Sequence, residues 1–590
     1  MKSRLTRQPS AGHRKDMPRQ THAGFARFII PLLLWLSCTA AQAQSAADLA
    51  RQEAQRLQQL EQQRREEQFL RDRTNAAPPT RLPVPEVPEP ASRPGACRNV
   101  AEIEISGATL LNAQELEEVV GAYRDRCLGV TEIESLLSAI TRAYVTRGWV
   151  TVRAYLPQQD LSKGKLLILV IEGKVSAIEI DDGGKHSITP FMVAPFTEGS
   201  PLNLRDFEQA LDQANRLASN NATVELRPGE QPGDTVVILH NQPGKPWHIN
   251  LGLDNHGSES TGRQQGSVTL SLDNPLRLND FISYTRRQSM PAREDRQLSI
   301  SDSATYVLPF GYNTLSFNAN QSRYDTETTN SNGNTFHSNG NSSNRTLRLD
   351  RVLSRDAVTH WSSYASLSAK DTEVFLEDVK LVAGSRKLSV AEIGLSVSTV
   401  LWGGAVSLEL GHAQGTRLFG ALRDTSLLTK EDPHAQFRKW TINGSFIRPF
   451  ELAGEVLQFS SQWSAQYAEH VLYGSEQMLI GGIYTVRGFD KSTLSGDHGF
   501  FVRNELGLRK PFEFAGMPGS IRPWIGLDYG LSRSRNEGVP EGTLIGAALG
   551  VQANLRNGIN LDVFAAGPLR TPSSLERESP ALWTRLSIAI

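Results

Sequence analysis

The sequence predicts a mainly β protein: a transmembrane antiparallel β-barrel of about 16 strands, preceded by two small α+β units and an N-terminal helix. Three observations carry this. Apolar and polar residues alternate over roughly the last 345 residues, a β-α-α-β-β order occurs twice before them, and the N-terminus has the grammar of a secretory signal. The chain has 590 residues, 62 basic against 63 acidic, and is 39% hydrophobic. Its mean hydropathy of −0.34 is too polar for a membrane protein built of apolar helices. A barrel escapes that test, because only alternate strand residues meet lipid. A formal charge of −1 leaves no global basic field, so no nucleic-acid partner is expected.

Residues 1–43 read as a signal peptide. Lys2, Arg4, Arg7, Arg14, Lys15, Arg19 and Arg27 are basic, 28–36 is an apolar core, and Ala41-Gln42-Ala43 is a small-x-small cleavage site. The apolar run is well short of the ~20 residues of a spanning helix. A start at Met17 would give a leader of ordinary length, and Cys38 is expected to leave with it. Residues 44–75 are Gln-rich and charged, without Gly or Pro, and read as a polar helix. Such a helix suits bulk solvent, a short coiled coil or a wet channel. Residues 76–96 are proline-rich and form an extended linker; its core, 78–95, can bridge roughly 50 Å.

Residues 97–174 form the first unit. Ile103 and Ile105 alternate as in a strand, 112–123 and 131–147 carry helical spacing, and 150–156 and 166–172 are strands. Cys97 and Cys127 are the two cysteines left after the leader. In an oxidising compartment they read as one disulfide between the first strand and the inter-helix loop. Residues 175–243 repeat the plan: a strand at 177–180, helices at 189–195 and 203–217, and strands at 222–226 and 235–240. From residue 244 to 590 the period is two, as in Trp247, Ile249, Leu251 and Leu253 or Val268, Leu270 and Leu272. A soluble β-sandwich or propeller shares that period. The leader and the polar helix favour lipid outside and water inside.

Within this region a long loop at about 478–500 carries Gly481-Gly482-Ile483-Tyr484-Thr485-Val486-Arg487-Gly488-Phe489-Asp490. A lone cation there and a lone carboxylate at Asp528, in strand context, can make a bidentate pair that pins the loop to the wall. The alternative is an ordinary hairpin tip with surface charges. On the wall, Ile525 and Leu527 would face lipid and Asp528 the lumen. No P-loop, nucleophile elbow or metal-ligand cluster is present, so no catalytic residue, cofactor or metal is expected.

Taken in order, several motifs resemble the outer-membrane transporters of two-partner (type Vb) secretion, the ShlB/FhaC/HecB-like group within the BamA-like superfamily. They are Thr151-Val152-Arg153-Ala154-Tyr155-Leu156-Pro157, Val170-Ile171-Glu172-Gly173-Lys174, Pro228-Gly229 with Pro232-Gly233, Leu253-Asp254-Asn255-His256-Gly257 with Thr261-Gly262-Arg263, Val486-Arg487-Gly488-Phe489, Gly496-Asp497 and Asn504-Glu505. The resemblance implies two periplasmic POTRA domains, a helix lying in the pore, and a lumenal loop whose Val486, Arg487, Gly488 and Phe489 form the transport motif, with Arg487 meeting Asp528. It implies a monomer in the outer membrane, inserted by the barrel-assembly machinery, that secretes an unfolded partner with an N-terminal secretion domain. The partner would be a haemolysin, adhesin or contact-dependent toxin. The chain ends Leu586-Ser587-Ile588-Ala589-Ile590, where the family commonly ends in an aromatic residue. Recognition for assembly would then rest on Trp583 and the alternating pattern. A BamA-like assembly factor is the alternative, although it usually has more POTRA repeats and lacks the polar helix and linker.

Overall fold

The computed structural model describes residues 96–292, 297–329, 335–356, 358–382, 384–514, 516–555 and 558–590. The expected leader, polar helix and proline-rich linker fall on 1–95, outside the described residues.

The first unit is a three-stranded sheet with two helices. Glu102–Ser106 runs parallel to Lys165–Ile171, which pairs antiparallel with Arg153–Tyr155. The helix Ala113–Val120 starts at Asn112, whose side chain accepts from the Glu115 amide while Glu115 accepts from the Asn112 amide. This capping box satisfies two backbone donors that a helix start leaves open. The second helix, Val130–Val145, buries Ile133, Leu136, Ile140 and Tyr144 against Leu166, Ile168 and Val170 of the sheet. The expected strand 150–156 is shorter, because Val150 turns into the core of the second unit. Two three-residue strands, Arg98–Val100 and Arg126–Leu128, pair beside the sheet and escaped the sequence reading. Three residues are too few to show a period. The Cys97–Cys127 bond joins this pair, with a Cα–Cα distance of 5.2 Å.

In the second unit Lys174–Asp181 runs parallel to Asp234–His240, which pairs antiparallel with Thr223–Pro228. The helix Leu204–Ala214 is capped by Asn203 and lays Phe207, Ala210 and Leu211 on the sheet. Backbone bonds from Leu204 to the Gly148 carbonyl (2.8 Å) and from Leu202 to the Gly173 carbonyl (2.9 Å) tie the units together.

The same helix docks on the barrel. Gln213 Nε2 donates to the Gly311 carbonyl at 2.9 Å, Arg355 Nη1 donates to Gln209 Oε1 at 2.8 Å, and Arg355 pairs with Asp212 at 3.0 Å. Phe191 meets Phe310 edge-on at 5.4 Å. These contacts mark the turns near 273–280, 311–313 and 355–360 as the periplasmic end.

The barrel closes on itself antiparallel, from Trp247–Asp254 round to Ala581–Ala589. Its circuit has 16 principal strands, with short companions Val379–Lys380 and Lys510–Phe514. Periplasmic turns are tight: Trp402-Gly403 and Ala453-Gly454 each put two residues at positive φ, as a two-residue hairpin of type I′ requires. Long loops lie at the opposite rim. Along Met517–Arg533, Ile525, Leu527 and Tyr529 are exposed on the outer face, while Asp528 points inward and is buried. The same alternation puts Leu251 and Leu253, Leu270 and Leu272, and Ile393 and Leu395 outside. Lipid accounts for that apolar belt, since a closed barrel leaves no unpaired backbone edge in hydrocarbon.

Candidate functional site: an inward loop held to the wall

The chain between Glu455–Ala468 and His498–Leu508 leaves the outer rim and folds back into the lumen. Its two arms pair as a small hairpin, Met478–Ile480 against Leu494–Gly496. Both arms are anchored at the rim. Glu476, buried, accepts from Lys370 Nζ at 2.6 Å and Lys439 Nζ at 3.1 Å, which ties one arm to two nearby strands of the wall. Asp497, also buried, accepts from the backbone amides of Leu472 (2.8 Å) and Arg535 (2.9 Å) on the other.

The motif forms the inner bend. Val486 and Phe489 pack with Met478, Ile480, Leu494, Phe501 and Leu544 in an apolar cluster inside the barrel. Arg487 is fully buried between them and the wall. It gives Asp528 three hydrogen bonds: backbone N–H to Oδ2 at 3.0 Å, Nε to Oδ2 at 2.7 Å and Nη2 to Oδ1 at 2.7 Å. Nη1 donates to Glu505 Oε1 at 2.7 Å and Nη2 to the Asn504 carbonyl at 3.1 Å. The guanidinium lies 4.8 Å from the centre of the Trp524 ring. Every face of the cation is therefore used, by carboxylate, carbonyl and ring. A lysine has neither the planar fork nor enough donors to repeat this.

The wall is bare where the loop meets it. Gly546 lies so close that a Cβ there would sit 1.7 Å from the Arg487 carbonyl oxygen. Gly488 has φ +95°, which favours glycine, and its own Cβ would sit 2.4 Å from the Gly567 carbonyl carbon. Gly526 and Gly530, inward on the strand that carries Asp528, leave room for the Arg487 fork and for Ile480 and Val486.

The structure thus brings together Val486, Arg487, Gly488, Phe489 and Asp528. It places Cys97 and Cys127 far from them, in the first periplasmic unit. Sequence reading marked Asn504-Glu505 as a motif but gave Glu505 no role, and it missed the arginines that surround it. Glu505 also accepts from Arg503 Nη2 at 3.1 Å and Arg522 Nη2 at 3.2 Å, so it joins three arginines, while Arg503 Nη1 donates to the Ile483 carbonyl at 2.8 Å. The available signal was the inward register of Glu505, Arg503 and Arg522 on paired strands. Trp583 faces the lumen, where it is buried near Phe564 and His256. Among the described residues no cluster of His, Cys, Asp and Glu could hold a metal ion. The arrangement can hold or release a loop inside a wet channel.

In the first unit, Glu172 of the Val-Ile-Glu-Gly-Lys motif is structural. Burial opposes its charge, but hydrogen bonds from the Thr109 and Leu110 amides, the Thr109 hydroxyl and the Tyr144 hydroxyl hold its carboxyl below the usual range.

The model of the haemolysin secretion/activation protein ShlB/FhaC/HecB family matches residues 233–553. A ShlB-type POTRA domain matches 99–173 and a second POTRA domain matches 174–228. The chain is similar to the outer membrane transporter CdiB of Escherichia coli O6:K15:H31 (strain 536 / UPEC), 33% identical over 568 residues that cover 95% of this chain and 93% of that protein. It is 32% identical to the hemolysin transporter protein ShlB of Serratia marcescens over 485 residues, 81% of this chain and 83% of that one. Among solved structures, CdiB from Escherichia coli superposes with a TM-score of 0.81 at 32% identity, covering 92% of this chain and 99% of that chain.

Proposed function

Because the chain belongs to the haemolysin secretion/activation family ShlB/FhaC/HecB, we propose a mechanism by which its loop and lumen carry a partner protein across the outer membrane. The protein is an outer-membrane transporter of two-partner secretion, with its POTRA domains in the periplasm and a secreted exoprotein as partner. We read the cargo as a large exoprotein of the haemolysin, adhesin or contact-dependent toxin type, presented unfolded with its N-terminal secretion domain first. The POTRA units, 97–174 and 175–243, receive it. Their outer strands Glu102–Ser106 and Thr223–Pro228 are sheet edges onto which an extended segment could add a strand. The polypeptide then crosses the lumen of the barrel, 244–590, after the helix of 44–75 leaves the pore. Folding outside the cell supplies the drive, and the transporter itself does no covalent chemistry. It works as a monomer, surrounded by lipid and inserted by the barrel-assembly machinery.

The observation that carries this reading is the full burial of Arg487 against Asp528 inside a polar-lined barrel. A porin has no need of a loop pinned by a desolvated ion pair. The Arg487, Asp528, Val486, Gly488 and Phe489 constellation is the transport motif, and it sets where the loop sits relative to the passing chain. Co-expression with a large exoprotein that carries an N-terminal secretion domain, sought first in the neighbouring open reading frame, followed by assay of the medium, tests the proposal. The exoprotein should reach the medium with this chain and stay in the periplasm without it. Retention in both cases would refute the assignment of that partner. Full secretion by a barrel deleted for 97–243 would refute capture by the POTRA units.

A further inference from the structure

Beyond the inner bend, the loop tip makes a second set of contacts, at the place where the barrel closes. Trp247–Asp254 and Ala581–Ala589 pair through 250–254 with 585–589, and backbone bonds carry the ladder one residue further at each end, Ile249 with Ile590 and the Asn255 amide to the Thr584 carbonyl. Each of these strands pairs with its other neighbour over eight. Beyond Asp254 a side chain reinforces the ladder: Asn255 Nδ2 donates to the Leu582 carbonyl at 2.8 Å, and its Oδ1 accepts from the Thr584 amide at 2.7 Å. This joint is short and no turn links its two strands, so contacts that strap it from outside bear directly on whether it stays closed.

The loop tip spans this joint. On the side of the last strand, Glu578 of the 571–580 loop accepts from three consecutive backbone amides: Asp490 at 2.9 Å, Lys491 at 3.0 Å and Ser492 at 2.6 Å. The Ser492 hydroxyl donates to the Glu576 carbonyl at 3.0 Å. On the side of the first strand, Arg263 of the 255–264 loop pairs with Asp490, and Glu259 pairs with Lys491. The Arg263 guanidinium also lies 5.9 Å from the Trp583 ring centre, on the last strand. Residues 490–492 therefore hold both hairpin loops that flank the joint.

We propose that the tip of the inward loop is a clasp across the barrel's closing seam, with Glu578 as its positioning residue. A carboxylate that receives three amides fixes the direction of the backbone as well as its distance. Loop position and seam closure then form one equilibrium. An extended polypeptide that pushes the tip aside also removes the strap from the joint between the first and last strands.

The test is backbone hydrogen exchange on the full chain in lipid nanodiscs, with insertion checked by heat modifiability. Glu578→Ala should speed exchange about tenfold in peptides covering 249–254 and 584–590, and leave the joint between Arg438–Leu452 and Glu455–Ala468 unchanged. Glu578→Gln keeps an acceptor oxygen for Lys491 and Ser492, so its seam exchange should stay within about threefold of the parent. Arg263→Ala, which frees the other side, should reproduce the seam effect and serves if Glu578→Ala fails to insert. Faster exchange at 490–492 with an unchanged seam would overturn the clasp, because the tip would then be anchored without strapping anything. Unchanged exchange at both places would overturn it as well.

Discussion

Replacing Arg487 by alanine removes every guanidinium contact of the inner bend and leaves the apolar cluster, the backbone N–H bond to Asp528 and the Arg503 bond to the Ile483 carbonyl. Asp528 is then left fully buried with no cation, because among the described residues its cationic partner is Arg487 alone. Stranding a buried charge in this way costs about 3–5 kcal/mol, enough to move a closed loop towards a released one by roughly a thousandfold. The reverse substitution is milder. In Asp528→Ala the guanidinium keeps Glu505, the Asn504 carbonyl and the Trp524 ring, so roughly 2–3 kcal/mol is expected from the lost charge-assisted bonds. The double variant should be little worse than Arg487→Ala, with a coupling of about 2–3 kcal/mol. Two readouts are needed on barrels whose insertion is confirmed by heat modifiability. One is the amount of partner exoprotein in the medium, and the other is the rate at which a protease clips residues 481–492 in outer-membrane preparations. Secretion should fall, and the clipping rate should rise, in the order wild type, Asp528→Ala, Arg487→Ala ≈ double variant. Defects that add to within about 0.5 kcal/mol would refute the reasoning, since they would show two independent roles in place of one contact.

Gly546→Ala should release the loop with Arg487 and Asp528 both intact, because the new methyl would occupy the position of the Arg487 carbonyl; protease clipping of the loop reports it. Replacing Cys97 and Cys127 by serine opens a link across a separation of 30 residues and should destabilise the first POTRA unit by about 2–4 kcal/mol, read as earlier urea-dependent proteolysis of that unit. His240, whose Nδ1 lies 2.8 Å from Asp181 and Nε2 2.9 Å from Glu225, has its pKa raised by those two carboxylates. Its contribution to the second POTRA unit is thus fully present below about pH 6.5 and fades as pH rises through the raised value, and NMR titration of the ring should give a midpoint above that of a free histidine. Glu172 works in the opposite sense: its lowered pKa makes its contribution present above about pH 4.3 and lost on acidification, so Glu172→Gln should flatten the acid side of the first unit's stability curve.

The barrel was legible because a lipid-facing wall writes itself into the chain at period two. Ile525, Leu527 and Tyr529 can only point one way if Asp528 points the other. The helices of the periplasmic units were legible for the matching reason at period 3.6, and Asn112 and Asn203 announce two of the starts. Short elements were not. Arg98–Val100 and Arg126–Leu128 are set by pairing with each other, which is a tertiary fact with no local pattern. The trimming of 150–156 to Arg153–Tyr155 has the same origin, since Val150 is claimed by a core that the sequence order places later.

The candidate site divides along the same line. Arg487 and Asp528 stood out because each is a lone charge among apolar and glycine residues, where an unpaired ion would be costly. Glu505, Arg503 and Arg522 did not, because charges on the wet face of a barrel are common and only their meeting across strand pairs makes them a set. Gly546 and Gly567 read as ordinary barrel glycines until the loop backbone is seen to lie on them. Glu578 carried no signal at all, since its three partners are backbone amides and backbone has no sequence. The loop is thus specified at two levels. A side-chain pair chosen by charge fixes the bend, and close backbone approaches, permitted by missing side chains and one well-placed carboxylate, fix the path on either side. Substituting the pair alone should therefore free the bend while leaving the rim anchors at Glu476 and Asp497 in place, so the released loop would swing about two fixed ends and stay within the mouth of the barrel.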